Sequence, residues 1–208
     1  MITVEKHLAI MKDGFTTNTY IVTDEESGET AVVDPSLPEE SLMEKLNGKN
    51  VKYVLLTHGH FDHVSGVYGL QKEEGAEVVI HPSDREHLLD PKKSLAEGNF
   101  PEPHQPVTAD ILVKDGDVIM LGSSPIKVMH TPGHTEGSVC LLAEDHMFSG
   151  DTLFAGTCGR TDLPTGSWNK ILASLKMLTK LPGDYTVYPG HGPKTTMNTE
   201  RAENPCIE

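Results

Sequence analysis

The sequence predicts an α/β fold, on two observations. Apolar runs of strand length recur along the 208 residues, the clearest being Val51-Lys52-Tyr53-Val54-Leu55-Leu56. Other stretches carry helical spacing, as at Trp168, Ile171, Leu172, Leu175 and Leu178. In chain order, strands come first and then alternate with helices. Val4–Ile10, Thr19–Thr23 and Ala31–Val33 read as strands, separated at Asp13-Gly14 and Glu26-Ser27-Gly28. Ser36-Leu37-Pro38-Glu39 has capping-box spacing, which predicts a helix from about Pro38 to Leu46 that stops at Gly48. A strand over Val51–Leu56 leads into Thr57-His58-Gly59-His60, a helix starts near Asp62, and Val78–Ile80 is a buried strand. Pro91, Pro101, Pro103 and Pro106 make residues 90–108 a loop, since proline removes donors. A hairpin is expected around Lys114-Asp115-Gly116-Asp117, then strands Ile126–Met129 and Val139–Leu142, a tight turn at Asp145 and His146, and Met147-Phe148. Ser167 is the expected N-cap of the helix that begins at Trp168, and Pro182-Gly183 its stop. Tyr185–Tyr188 is a last strand, and Thr199–Glu203 a closing helix ended by Asn204-Pro205.

Composition narrows the function classes. With 17 Lys+Arg against 31 Asp+Glu the net charge is −14, which opposes binding to nucleic acid, whose phosphates require clustered cations. No apolar run reaches the roughly 18 residues of a membrane span. Met1–His7 has no apolar core behind a basic patch, and Cys140, Cys158 and Cys206 form no C-x-x-C pair, so a cytoplasmic protein without disulfides is expected. Eleven histidines equal Phe, Tyr and Trp together, and histidine is the commonest metal ligand.

Four clusters follow strand-like runs: His58-Gly59-His60-Phe61-Asp62-His63, Thr131-Pro132-Gly133-His134, Ser149-Gly150-Asp151 and Pro189-Gly190-His191-Gly192. His58 and His60 are two apart, so in extended backbone they share a side and can chelate one ion. Asp62 and His63 open the next helix and suit a second ion. His134, Asp151 and His191 can complete the two shells, with Asp151 able to bridge because a carboxylate has two oxygens. Imidazole and carboxylate donors fit zinc, and also iron or manganese. Isolated histidines are ordinarily structural or exposed, and His7, His81, His87, His104, His130 and His146 are read that way. His130 lies four residues before His134 and could brace it.

Together these motifs resemble the metallo-β-lactamase superfamily. Gly150-Asp151-Thr152-Leu153-Phe154 with Gly159-Arg160-Thr161-Asp162-Leu163-Pro164 is similar to hydroxyacylglutathione hydrolases (glyoxalase II) and their short relatives. The resemblance implies a four-layer αββα sandwich, with residues 1–208 as one domain of two similar halves that meet near 90–108. It implies two divalent metal ions, His58, His60 and His134 on the first, Asp62, His63 and His191 on the second, and Asp151 between. Asp34, in Val33-Asp34-Pro35, matches an acidic residue close behind the metals, or else simply initiates an Asp-Pro turn. Glyoxalase II proper carries a C-terminal extension with basic residues for glutathione, whereas only Gly192–Glu208 follows His191 here. Arg160 is the candidate for holding an anionic substrate, with Lys194 and Arg201 behind it.

The expected reaction is hydrolysis of a small-molecule thioester, of hydroxyacylglutathione type, by a metal-bound hydroxide, with Asp62 accepting a proton. Cys158 lacks a positioned base and is a poor nucleophile. One alternative is a persulfide dioxygenase with a single iron on His58, His134 and Asp151, which the string Cys158-Gly159-Arg160-Thr161-Asp162 also resembles. A lactonase or β-lactamase, or a non-catalytic metal-binding protein, are further alternatives.

Overall fold

The computed structural model describes residues 1–11, 14–37, 40–99 and 105–207. Pro38 and Glu39 at the start of the expected first helix, Asp13 of the first expected turn, Pro101, Pro103 and His104 lie outside the described residues. Two six-stranded mixed sheets dominate the described residues. The first runs in chain order: β1 (Ile2–Ile10), β2 (Thr16–Asp24), β3 (Glu29–Val33), β4 (Asn50–Leu55), β5 (Glu77–Ile80) and β6 (Ile111–Leu112). The second is built from β7 (Val118–Leu121), β8 (Ser124–His130), β9 (Val139–Ala143), β10 (His146–Gly150), β13 (Thr186–Pro189) and β14 (Thr195–Thr196), in the spatial order β14-β13-β10-β9-β8-β7. A short hairpin, β11 (Leu153–Phe154) with β12 (Thr157–Cys158), stands beside it.

The layering follows from side-chain alternation along each strand. Tyr20, Val22, Ala31, Val33 and Leu55 of the first sheet share one buried core with Ile126, Val128, Leu141 and Phe148 of the second. Their neighbours Ile21, Val32 and Val54 point the other way, into a core under α1 (Glu40–Leu46) and α3 (Val67–Glu74). Met129, Cys140, Leu142 and Val187 likewise turn outward, under α4 (Trp168–Leu178) and α5 (Met197–Glu203). Both faces of both sheets are therefore apolar, which is why these strands read as continuous hydrophobic runs. The result is the expected four-layer αββα sandwich. Each fully buried side chain, such as Leu175, contributes roughly 1.5–3 kcal/mol.

Most elements lie where the sequence puts them. Trp168 is a departure: it opens α4 but is 52% exposed, while Ile171, Leu175 and Leu178 form the buried face. Ser167 occupies the N-cap position without a side-chain capping bond. The hairpin expected around Lys114–Asp117 does not form. A turn is present, with Asp117 N donating to Lys114 O at 3.1 Å and Gly116 at φ +83°. But β6 before it pairs in parallel with β5, and β7 after it belongs to the other sheet, so this turn carries the chain between sheets. The hairpin comes one strand later, through Gly122-Ser123, with Gly122 at φ +57°. The next turn is Glu144-Asp145, since His146 already pairs with Ala143. A 3-10 helix at Pro82–Leu88 was not expected. No helix among the described residues is long and apolar enough to cross a membrane.

Candidate metal centre

The histidine and aspartate clusters meet at one edge of the sandwich. β3 and β4 are parallel in the first sheet, β10 and β13 in the second, and all four end at this edge. The chain leaves β3 at Asp34, β4 towards His58, β10 at Asp151 and β13 towards His191; β8 delivers His134 there as well. The helix α2 (Phe61–Val64) follows at once and carries Asp62 and His63. The two sheets are tied together at this edge. Val139 N donates to Thr57 O at 2.8 Å, and Asn18 N to Gly190 O at 2.7 Å. Two glycines keep it open: a Cβ on Gly190 would overlap Asp151 and His63, and one on Gly150 (φ +48°) would overlap Thr57.

Two triads of donors result. The ligand atoms of His58, His60 and His134 lie within 4.8 Å of one another, as do those of Asp62, His63 and His191. His60 Nδ1 is 2.8 Å from His134 Nε2. His63 Nε2 and His191 Nε2 each stand 3.3 Å from Asp62 Oδ2. Asp151 lies between the triads, 3.5 Å from His134 Nε2, 3.3 Å from His191 Nε2 and 3.4 Å from His63 Nε2.

Groups behind the rings set which nitrogen faces inward. His134 Nδ1 donates to Arg160 O at 2.8 Å, His191 Nδ1 to Thr16 O at 2.7 Å, and His63 Nδ1 to Asp34 Oδ2 at 2.9 Å. Each bond leaves Nε2 free for the centre, the arrangement that orients histidines on metals. Thr17 Oγ1 donates to Asp62 Oδ2 at 3.0 Å. His58 Nε2 is buried with no hydrogen-bond partner. A buried, unpartnered imidazole nitrogen among other donors is costly unless a cation takes its lone pair, so the residues present fit a pair of metal ions.

Charge is divided unevenly. Burial keeps His58 and His60 neutral, pushing His60 down to about 3 and His58 well below the usual imidazole range. Burial would lower His63 and His191 too, but the Asp62 and Asp151 carboxylates overcome it. They raise His191 to about 10 and, with Asp34, lift His63 well above its ordinary value. Burial would raise Asp62 and Asp151 in turn, yet the facing histidines hold both well below the usual carboxylate range.

Asp34 lies against the centre, buried, at φ +50°. It accepts from Thr57 N at 2.8 Å and Thr57 Oγ1 at 2.6 Å, besides His63 Nδ1. With three donors on it, Asp34 backs His63 rather than adding a fourth ligand. Arg160 lines the cleft over the centre, but its guanidinium forks onto Asp162 with two bonds of 2.7 Å. Arg201 binds the carbonyls of Thr179, Leu181 and Gly183 and so fastens the end of α4. It does not line the cleft, and neither does Lys194. His130 does not brace His134; it stacks on His81 with centroids 4.2 Å apart. Burial and the neighbouring Cys206 push the Cys158 thiol up to about 12, which disfavours the nucleophilic thiolate. The cleft has a volume of about 1520 Å³ and takes in His60, Asp62, His134, Asp151 and His191 together with apolar residues such as Phe61 and Leu88. Sequence reasoning missed Thr17, Thr57 and the carbonyls of Thr16 and Arg160. Only Thr57, directly before His58, carried a local signal.

Comparison with known proteins agrees with this geometry. A family model of the metallo-β-lactamase superfamily matches residues 13–191. A protein of Aquifex aeolicus (strain VF5) is 38% identical over 196 residues, 90% of each chain. Hydroxyacylglutathione hydrolase GloC of Haemophilus influenzae is 29% identical over 199 residues, 93% of each. Among solved structures, the B3 metallo-β-lactamase BLEG-1 superposes with a TM-score of 0.85 at 32% identity over 99% of both chains. TTHA1623 in a di-iron-bound form gives 0.82 at 33% identity, over 96% of this chain and 98% of that one. ETHE1 of Myxococcus xanthus gives 0.76 at 27% identity, over 97% and 83%. The matched span contains both triads and the aspartate between them, and the chain belongs to the metallo-β-lactamase superfamily.

Proposed function

We propose that this chain is a metal-dependent hydrolase that cleaves a thioester, with a hydroxyacylglutathione-type compound as substrate. The supporting observation is the pair of donor triads with Asp151 between them, opening on one cleft. In this reading His58, His60 and His134 would hold one divalent ion and Asp62, His63 and His191 another, with Asp151 available to either. Zinc is the preferred metal, with iron or manganese compatible with the same donors. Bound there, the ions supply Lewis-acid polarisation of the thioester carbonyl and a water acidified towards neutrality. Residues 1–208 act as one catalytic domain, in the cytoplasm.

The chain's own groups do the rest. Asp62, ionised and steadied by Thr17, would orient the attacking water, accept its proton as the C–O bond forms and return it to the thiolate released when the C–S bond breaks. His134 and His191 are kept in register by the carbonyls of Arg160 and Thr16. Phe61 and Leu88 give the cleft an apolar wall that excludes bulk water from the acyl group. An anionic substrate arm would reach the Arg160 guanidinium by exchanging with Asp162. No cysteine nucleophile is needed, consistent with the raised Cys158 thiol.

The test is steady-state hydrolysis of S-lactoylglutathione by metal-replete protein. Turnover is expected, with a loss on the order of 10²–10⁴-fold in Asp62→Ala. No turnover with both sites filled would overturn the glutathione reading. The string Cys158-Gly159-Arg160-Thr161-Asp162 favours one rival, a single-iron persulfide oxidation. Iron near one per chain, with rapid oxygen uptake on glutathione persulfide, would select that rival. Asp62, His63 and His191 count against it, since a single iron on His58, His134 and Asp151 leaves that second triad without a task.

A further inference from the structure

The geometry assigns Asp84 as the positioning residue of the first triad: one buried carboxylate clamps the loop bearing His58 and His60 to the loop bearing His134. This inference rests on the metal-binding reading above.

Asp84 is 0% exposed and lies on the 3-10 helix Pro82–Leu88, a segment that supplies no member of either triad. Its Oδ2 accepts from Gly59 N at 2.9 Å and from Thr135 Oγ1 at 2.7 Å. Its Oδ1 accepts from Gly137 N at 2.8 Å. Gly59 separates His58 from His60, and Thr135 follows His134, so the two oxygens join backbone leaving the first sheet to backbone leaving the second. A carboxylate can do this because both its oxygens are acceptors. The clamp is itself anchored: Ser83 N donates to His81 Nδ1 at 3.2 Å, and Asp84 N to His81 O at 3.0 Å.

Steric fit points the same way. A Cβ on Gly137 would overlap the Asp84 carboxylate, and one on Gly59 would overlap the His87 ring. Both loops are thus glycine where they meet this helix. One turn on from Asp84, His87 lies 3.6 Å from Asp84 Oδ2 and stacks parallel to His60, with centroids 6.2 Å apart. The same helix therefore restrains His60 from behind while tying its loop to that of His134. The hydrogen bonds of the Asp84 carboxylate all go to the loops that carry the first triad.

The test is site-resolved metal binding. Zinc is titrated against a chromophoric chelator, and visible absorption is followed on cobalt loading. His134→Ala and His191→Ala assign the two steps. In Asp84→Asn the amide keeps the shape but turns N–H towards one of the glycine donors. First-site affinity is expected to fall about ten- to hundredfold, with the second step unchanged. Thr135→Val removes one hydroxyl donor and leaves both backbone bonds, so it should weaken the same step by less and decides the matter if Asp84→Asn fails to fold. Unchanged first-site affinity, or equal weakening of both steps, would overturn the assignment. Wild-type protein that binds no metal would instead overturn the reading on which it rests.

Discussion

The two triads lie side by side at one edge of the sandwich and behave as opposites. His58, His60 and His134 form an all-imidazole set in which burial keeps His58 and His60 uncharged. Asp62, His63 and His191 form a set in which carboxylates outweigh burial and load the imidazoles with protons. Burial is not the variable, since His58 and His63 are 1% and 0% exposed. The difference is the company: Asp34, Asp62 and Asp151 crowd His63, whereas His58 is surrounded mainly by other rings. A metal entering the first triad finds the His58 and His60 lone pairs free of protons. One entering the second must evict protons.

Three measurements would break or sharpen this contrast. The largest effect is on pH dependence. A raised pKa means that His63 and His191 are protonated at neutral pH without metal, so acidification strengthens the protons' competition. Second-site affinity should fall as the pH falls by up to about a hundredfold per unit, two protons being displaced from His63 and His191, and more steeply than first-site affinity. Chelator titrations at several pH values read this directly, and parallel slopes for the two steps would erase the distinction. Next is Asp34→Asn, which loses the carboxylate behind His63. About ten- to hundredfold weaker binding is expected at the second site, with a smaller loss at the first because Asp34 also holds Thr57 beside His58, by the same titration. The smallest is Thr17→Val. Removing one hydroxyl donor from Asp62 should cost about 1 kcal/mol, roughly fivefold in second-site affinity, with thermal stability nearly unchanged.

What could be read in advance has a physical boundary. The seven clustered residues stand in short strings at strand ends, so side-chain chemistry and strand periodicity together located them. Which strand face looks inward was not legible, because Tyr20, Ile21 and Val22 are all apolar and all buried. Lys114–Asp117 was correctly a turn and wrongly a hairpin, because turn residues specify a reversal and not which strands it joins. β6 and β14 hold two residues each, too few for any period to show. Asp84 was invisible because Pro82-Ser83-Asp84 looks like an ordinary helix start; its role depends on Gly59 and Gly137, both remote in sequence. Arg160 drew notice for its guanidinium, yet what holds His134 is its carbonyl, a group every residue possesses.

The tie between the two sheets at the metal-centre edge has a consequence for the order of assembly. Asn18 Nδ2 donates to Pro189 O across 171 positions of chain, and the neighbouring bond from Asn18 N to Gly190 O holds the turn that presents His191. Contacts so distant along the chain close late, after the loop entropy between them has been spent. The apolar layers can collapse without any ion, but neither triad is complete until both sheets have docked. Each triad draws on both sheets, so a complete set of donors exists only once the two halves of the sandwich have docked.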